Sequence, residues 1–206
     1  MNNTFLLKKL QLILIMAFML LLTACFIESE QPVLKEQEKA SALNIFAEKV
    51  PDISGTYALV FDKNKKEKYV FSRKEDSANV FFVTDDKGER QNVLVKALKK
   101  ENTLLIEMSE QADGRTKNYL IPALITKDGL RVFLPAPIDK KETQPWSSKL
   151  YLELLDKYQI QYTNTQGTKL LKGAMSNKAY SEAIINLFND MFAADAVGNG
   201  LLLIKE

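Results

Sequence analysis

A single thiol, scattered carboxylates and no imidazole are the reactive groups of this chain: Cys25 is its one cysteine, and it has no histidine. A thiol ionises most readily of the common nucleophiles, so Cys25 is the side chain best suited to alkylation. It follows Leu22-Thr23-Ala24, and the small residues Thr23 and Ala24 leave the backbone open to a peptidase. A lone cysteine excludes any intrachain disulfide. The missing histidine excludes histidine-based triads and imidazole-rich zinc sites. Carboxylates remain. Asp85-Asp86 precedes Gly88 in a turn, where acids usually set conformation. Glu107 alternates with Ile106 and Met108 in a strand pattern, which predicts a solvent-facing side chain. Glu153 and Asp156 lie three apart on a helix, off its apolar face, and read as solvated surface rather than a glycosidase pair. Asp195 with Gly198-Asn199-Gly200 lacks the alternating oxygen ligands of a calcium loop. No catalytic residue, metal site or cofactor is expected from these groups.

What precedes Cys25 decides its chemistry. Lys8 and Lys9 lead into an unbroken apolar run from Leu12 to Leu22. A basic segment, a short apolar core and small residues before a cut site make an export signal. The ending Leu22-Thr23-Ala24-Cys25 resembles the lipobox of bacterial lipoproteins. The resemblance implies cleavage before Cys25, a diacylglycerol on its thiol and attachment to membrane lipid. It covers the first 25 residues only. Phe26 stands where, in Gram-negative lipoproteins, an aspartate favours inner-membrane retention, so the resemblance implies an outer-membrane protein facing the periplasm in such a host. Two readings compete: an uncleaved membrane anchor, and secretion with a free thiol. The apolar run is short of the roughly twenty residues that cross a bilayer. All three readings place the remainder outside the cytoplasm.

Loss of Lys8 and Lys9 takes Lys+Arg from 28 to 26, equal to the 26 acids. The processed chain is charge-balanced, which argues against a nucleic-acid ligand. The division expected is 1–24 signal peptide, 25–38 lipid anchor and tether, and 39–206 one α+β domain. Within that domain, 54–135 is β-rich, 145–197 helical, and 201–205 a last strand. The tether rests on Pro32 and four glutamates, Glu28, Glu30, Glu36 and Glu38. Leu43, Phe46, Ala47 and Val50 predict a short amphipathic helix over 39–49, with a solvated tether as the alternative.

From Gly55 onward, short aromatic and β-branched runs separated by polar turns predict an antiparallel meander of seven or so strands. A charged loop is expected from Asp62 to Lys68. Pro122 predicts an edge or a bulge. Pro145 opens one helix with Leu150, Tyr151, Leu154 and Leu155. Tyr180, Ala183, Ile184, Leu187, Phe188, Met191 and Phe192 repeat at helical spacing in a second, capped by Ser176 or Asn177. Leu201-Leu202-Leu203-Ile204 predicts a strand returning to the sheet. The fold expected is α+β, a curved antiparallel meander with two C-terminal helices packed against it. A small closed β-barrel with appended helices is the alternative.

Three further features are bland. The cations from Lys63 to Lys74 are offset by Asp62, Glu67, Glu75 and Asp76. Gln166-Gly167-Thr168-Lys169 lacks the spacing of a phosphate loop. Trp146 reads as a core anchor. Two functions survive: a membrane-anchored module for protein interaction, partner unknown, and a carrier or sensor of a small apolar ligand. In the second, Tyr57, Phe61, Phe71, Phe82, Phe188 and Phe192 line a pocket rather than fill a core. An enzyme using carboxylate chemistry ranks third.

Overall fold

The computed structural model describes residues 27–38, 50–62, 65–112, 114–133, 149–165, 168–172, 176–197 and 200–206. In chain order its elements are β1 (Ile27–Ser29), β2 (Gly55–Asp62), β3 (Lys65–Arg73), β4 (Val80–Asp85), β5 (Arg90–Ala97), β6 (Thr103–Ala112), β7 (Arg115–Thr126) and β8 (Gly129–Val132). Then follow α1 (Lys149–Lys157), β9 (Gln161–Thr165), β10 (Thr168–Lys172), α2 (Asn177–Ala193) and β11 (Leu201–Lys205).

Strands β2 to β8 form the expected antiparallel meander, each paired with the next. The sheet is not an open curve, however. Strand β11 pairs antiparallel with β8 on one side and β2 on the other, closing an eight-stranded barrel. Leu203 faces Leu59 and Leu130 across these two ladders and is buried. An apolar strand with two free sheet edges beside it satisfies both, and closure removes the exposed edges. The expected charged loop is also shorter, since β3 already begins at Lys65.

Two apolar cores lie on opposite sides of the barrel wall. The inner one contains Tyr57, Phe71, Phe81, Val95, Leu104 and Leu203. It is stoppered at one end by Val50 and Ile53. Tyr57 donates its hydroxyl to the Ile53 carbonyl at 3.0 Å, and the Arg73 guanidinium donates to the carbonyls of Val50 and Pro51 while lying over the Phe81 ring. The outer core packs Tyr180, Ile184, Leu187 and Phe188 of α2, with Tyr151 and Leu155 of α1, against Leu105 and Leu120 of the barrel wall. The helical spacing seen in the sequence is the face α2 buries. Ser176 occupies its N-cap position without a side-chain capping bond.

The wall branches at β7. Residues 118–120 of β7 pair with β1, and residues 123–126 with β8. Pro122 sits between the two partners, and its carbonyl accepts the Phe133 N–H at 2.9 Å. In a strand the N and C=O of one residue point the same way, so the missing N–H of Pro122 faces the fork and costs β6 no ladder bond. The branch continues from β1, parallel, to β10 and then to the outer strand β9. This corrects the tether expected at 25–38. Ile27 and Ser29 are buried between two strands, and Val33 and Leu34 belong to the outer core. The expected helix at 39–49 lies outside the described residues, although Val50 beside it is buried in the inner core.

Candidate functional site

After β1 the chain crosses the outside of the barrel as an extended strap. Its entry is tied by Glu30, whose N–H donates to the Leu171 carbonyl at 3.0 Å. Ser29 contributes its hydroxyl, 2.9 Å from that of Tyr180, which itself donates to the Leu171 carbonyl at 3.0 Å. Burial pushes the Tyr180 hydroxyl up to about 12. Midway, Val33 and Leu34 press their side chains into the outer core while their N–H groups donate to the Glu107 carboxylate. The strap ends at Asn79, buried in the β3–β4 connection. Asn79 accepts the Gln37 N–H at 2.7 Å and donates to the Lys35 carbonyl at 2.9 Å.

Glu107 therefore does not face solvent, as alternation predicted. It is 1% exposed. Its side chain does point outward from the barrel, but the strap and α2 cover that face. Burial raises its pKa above the ordinary carboxylate value, and the strap N–H groups pull it partly back. A signal for this was present. Leu104-Leu105-Ile106 is apolar at consecutive positions, so both faces of the strand are covered.

Beside the strap lies a cleft of about 310 Å³. One wall is the strap itself, with Val33, Leu34 and Lys35. The other is α2, which contributes Lys178, Ser181, Glu182 and Ile185. Their spacing of three, four and seven places these four on one face of the helix. Gln37 of the strap, Lys96 of β5 and Asn79 complete the lining. The cleft is apolar at Val33, Leu34 and Ile185, and carries three lysines against one glutamate. Ser181 donates its hydroxyl to the Asn177 carbonyl at 2.8 Å. The arrangement suits binding of a segment with apolar and acidic groups more than bond-making chemistry.

The six aromatic residues read as a pocket are not brought together. Tyr57 and Phe71 meet inside the barrel, rings 5.2 Å apart at 74°. Phe188 and Phe192 belong to the outer core, where Phe192 meets Phe133 edge-on at 5.6 Å. Phe82 is half-buried on the outer surface with the Arg90 guanidinium 3.5 Å above its ring. The Phe61 side chain lies outside the described residues. Strand parity is the reason. Phe81 points into the barrel, so its neighbour Phe82 points out, and the wall separates the inner rings from those on the helices.

Cys25 and the Leu22-Thr23-Ala24 stretch lie outside the described residues, as does Trp146. Asp85 accepts the N–H groups of Lys87 and Glu89 at 3.0 and 2.8 Å, a turn-forming role. Glu153 lies 3.5 Å from Lys149 on one exposed helix face. Asp195, at φ 50°, pairs with Lys100 at 2.5 Å. Among the described residues no three metal-ligating acidic or thiol side chains converge. No helix there is long and apolar enough to cross a membrane.

Among the described residues the fold is thus a closed eight-stranded antiparallel barrel with a three-stranded branch and a two-helix cover. Comparison with protein-family models, curated proteins and solved structures finds no match to this chain.

Proposed function

We propose that this chain is a lipid-anchored extracytoplasmic lipoprotein that works as a protein-interaction module, with the cleft between strap and α2 as its contact site. One observation carries the choice. Of the aromatic residues that a ligand pocket would need, Tyr57 and Phe71 lie in one packed core and Phe188 and Phe192 in the other, whereas the cleft is open at the surface. Lys35, Lys96 and Lys178 around Val33, Leu34 and Ile185 suit a partner segment that alternates acidic and apolar residues. An anchor that holds the module near membrane-associated partners raises their local concentration without demanding high intrinsic affinity. The test places a photo-crosslinking residue at Glu182 in the anchored full-length protein. A specific membrane partner should be recovered from this position and not from Lys87, in the turn at the other end of β4 from Asn79. Recovery that is equal at both positions refutes the contact site.

A second reading, a carrier of a small apolar ligand, is favoured by Tyr69, Val83 and Met108. They pack on the inner core yet are only half-buried, so solvent reaches that part of the barrel. Native mass spectrometry of the full chain distinguishes the two. A stoichiometric apolar ligand, with no partner crosslinked, reverses the ranking. Carboxylate-based catalysis stays third.

A further inference from the structure

Ile27 is the second residue after Cys25, and it is already a strand residue, buried between Leu120 of β7 and Lys169 of β10. Two residues of chain reach at most about 7 Å, against roughly 45 Å for the thirteen residues of a free tether ending at Glu38. A lipid on Cys25 therefore holds this side of the domain at the bilayer surface. Strand β9 lies two strand spacings from β1, about 10 Å. Its residues Gln161, Tyr162 and Thr163 are exposed and uncharged. A second, independent feature marks the same region. Residues 157–181 contain no Asp or Glu and four lysines (Lys157, Lys169, Lys172 and Lys178), of which Lys157 pairs with Asp190 at 2.7 Å, although the processed chain as a whole is balanced.

We infer that the β1–β10–β9 branch is the membrane-facing side of the protein, seated on anionic headgroups rather than lifted away from them. The inference rests on the anchor reading above and adds an orientation to it. Strand β1 brings Glu28 and Glu30 to the branch, but Lys169, Lys172 and Lys178 outnumber them and favour a negative leaflet, and the uncharged β9 loses little hydration on contact. Seating also shields β9, the outer strand of the branch, from pairing with another chain. Strand β3 lies four strands from β7 around the barrel in either direction, so its exposed Ser72 points away from the bilayer.

The test uses the full-length protein with one added reporter thiol, Thr163→Cys or Ser72→Cys, Cys25 being acylated. Incorporation of labelled fatty acid is measured first. Each form is then labelled with a fluorophore and reconstituted into phosphatidylcholine vesicles, with and without phosphatidylglycerol, that carry a headgroup-located quencher. The expected result is several-fold stronger quenching at Thr163 than at Ser72, with a larger contrast when phosphatidylglycerol is present. Equal quenching at both positions in an acylated protein overturns the seating. A contrast indifferent to phosphatidylglycerol overturns the anionic headgroup as its partner. Absence of fatty acid overturns the anchor reading instead, so the two failures are distinct.

Discussion

The Glu107 carboxylate accepts the N–H of Val33 at 3.0 Å across 74 positions of chain, and with it the barrel wall holds the strap. The pair joins two elements with separate jobs, since β6 belongs to the barrel and the strap forms one wall of the cleft. Burial raises the Glu107 pKa, so the folded state favours the protonated acid relative to the unfolded chain. The contribution of this group is fullest below the ordinary glutamate value and declines as pH rises through its raised folded value. Compared with Glu107→Gln, the wild type should lose stability between about pH 4 and the raised value. Urea denaturation of both proteins across that range checks it. Parallel stability curves would refute the assignment. Glu107→Ala leaves the strap N–H groups without their acceptor and should cost about 1–3 kcal/mol per group.

Barrel closure is vulnerable at Gly129 and at Gly200, where an added Cβ would lie 2.5 Å from the Val132 carbonyl oxygen. Gly129 starts β8 at φ 149°, and a Cβ there would lie 2.0 Å from the Leu203 carbonyl oxygen on β11. Gly129→Ala should therefore open the β8–β11 seam and cost more than about 3 kcal/mol, the upper range for backbone strain alone. Gly88 is also at positive φ, 82°, but a Cβ there meets nothing within 4 Å. Gly88→Ala should cost only about 1–2 kcal/mol. Thermal unfolding of the two variants gives the comparison.

The outer core predicts a contrast along α2. Phe188 is fully buried, so Phe188→Ala should destabilise by about 3–5 kcal/mol. Ser181 lies on the cleft side and is only half-buried, so Ser181→Ala should stay within about 0.5 kcal/mol. If Phe188→Ala left stability unchanged, the packed face of α2 would be misassigned. The Ser181 variant also serves the interaction proposal, because a change in partner crosslinking without a change in stability places the contact at the cleft.

Attachment is tested at the thiol. Wild-type protein should incorporate labelled fatty acid and partition into detergent, whereas Cys25→Ser should accumulate as a larger, unlipidated precursor. Equal incorporation by the variant would remove the anchor. Membrane fractionation of the wild type then decides between inner and outer membrane in a Gram-negative host.

Local periodicity by itself determined a good deal of this protein. The order of β2 to β8, the two helices with the buried face of α2, and the return of β11 all follow from spacing of apolar residues and from turn chemistry. These are properties of neighbours in the chain, and hydrophobic pattern reports them directly. What covers a strand's outer face is not such a property. The tertiary structure alone decided that Glu107 is buried, because residues 33 and 34 arrive over it from far away in sequence. It alone decided that Ile27 to Ser29, among acids that read as a tether, pair between β7 and β10. Closure of the barrel likewise depends on β11 finding β2 and β8 together, a pairing at long range that no local pattern encodes. The aromatic residues were divided by the same agency. Their apolar character is legible at each position, but which side of the wall each one occupies depends on strand register and on where the helices settle.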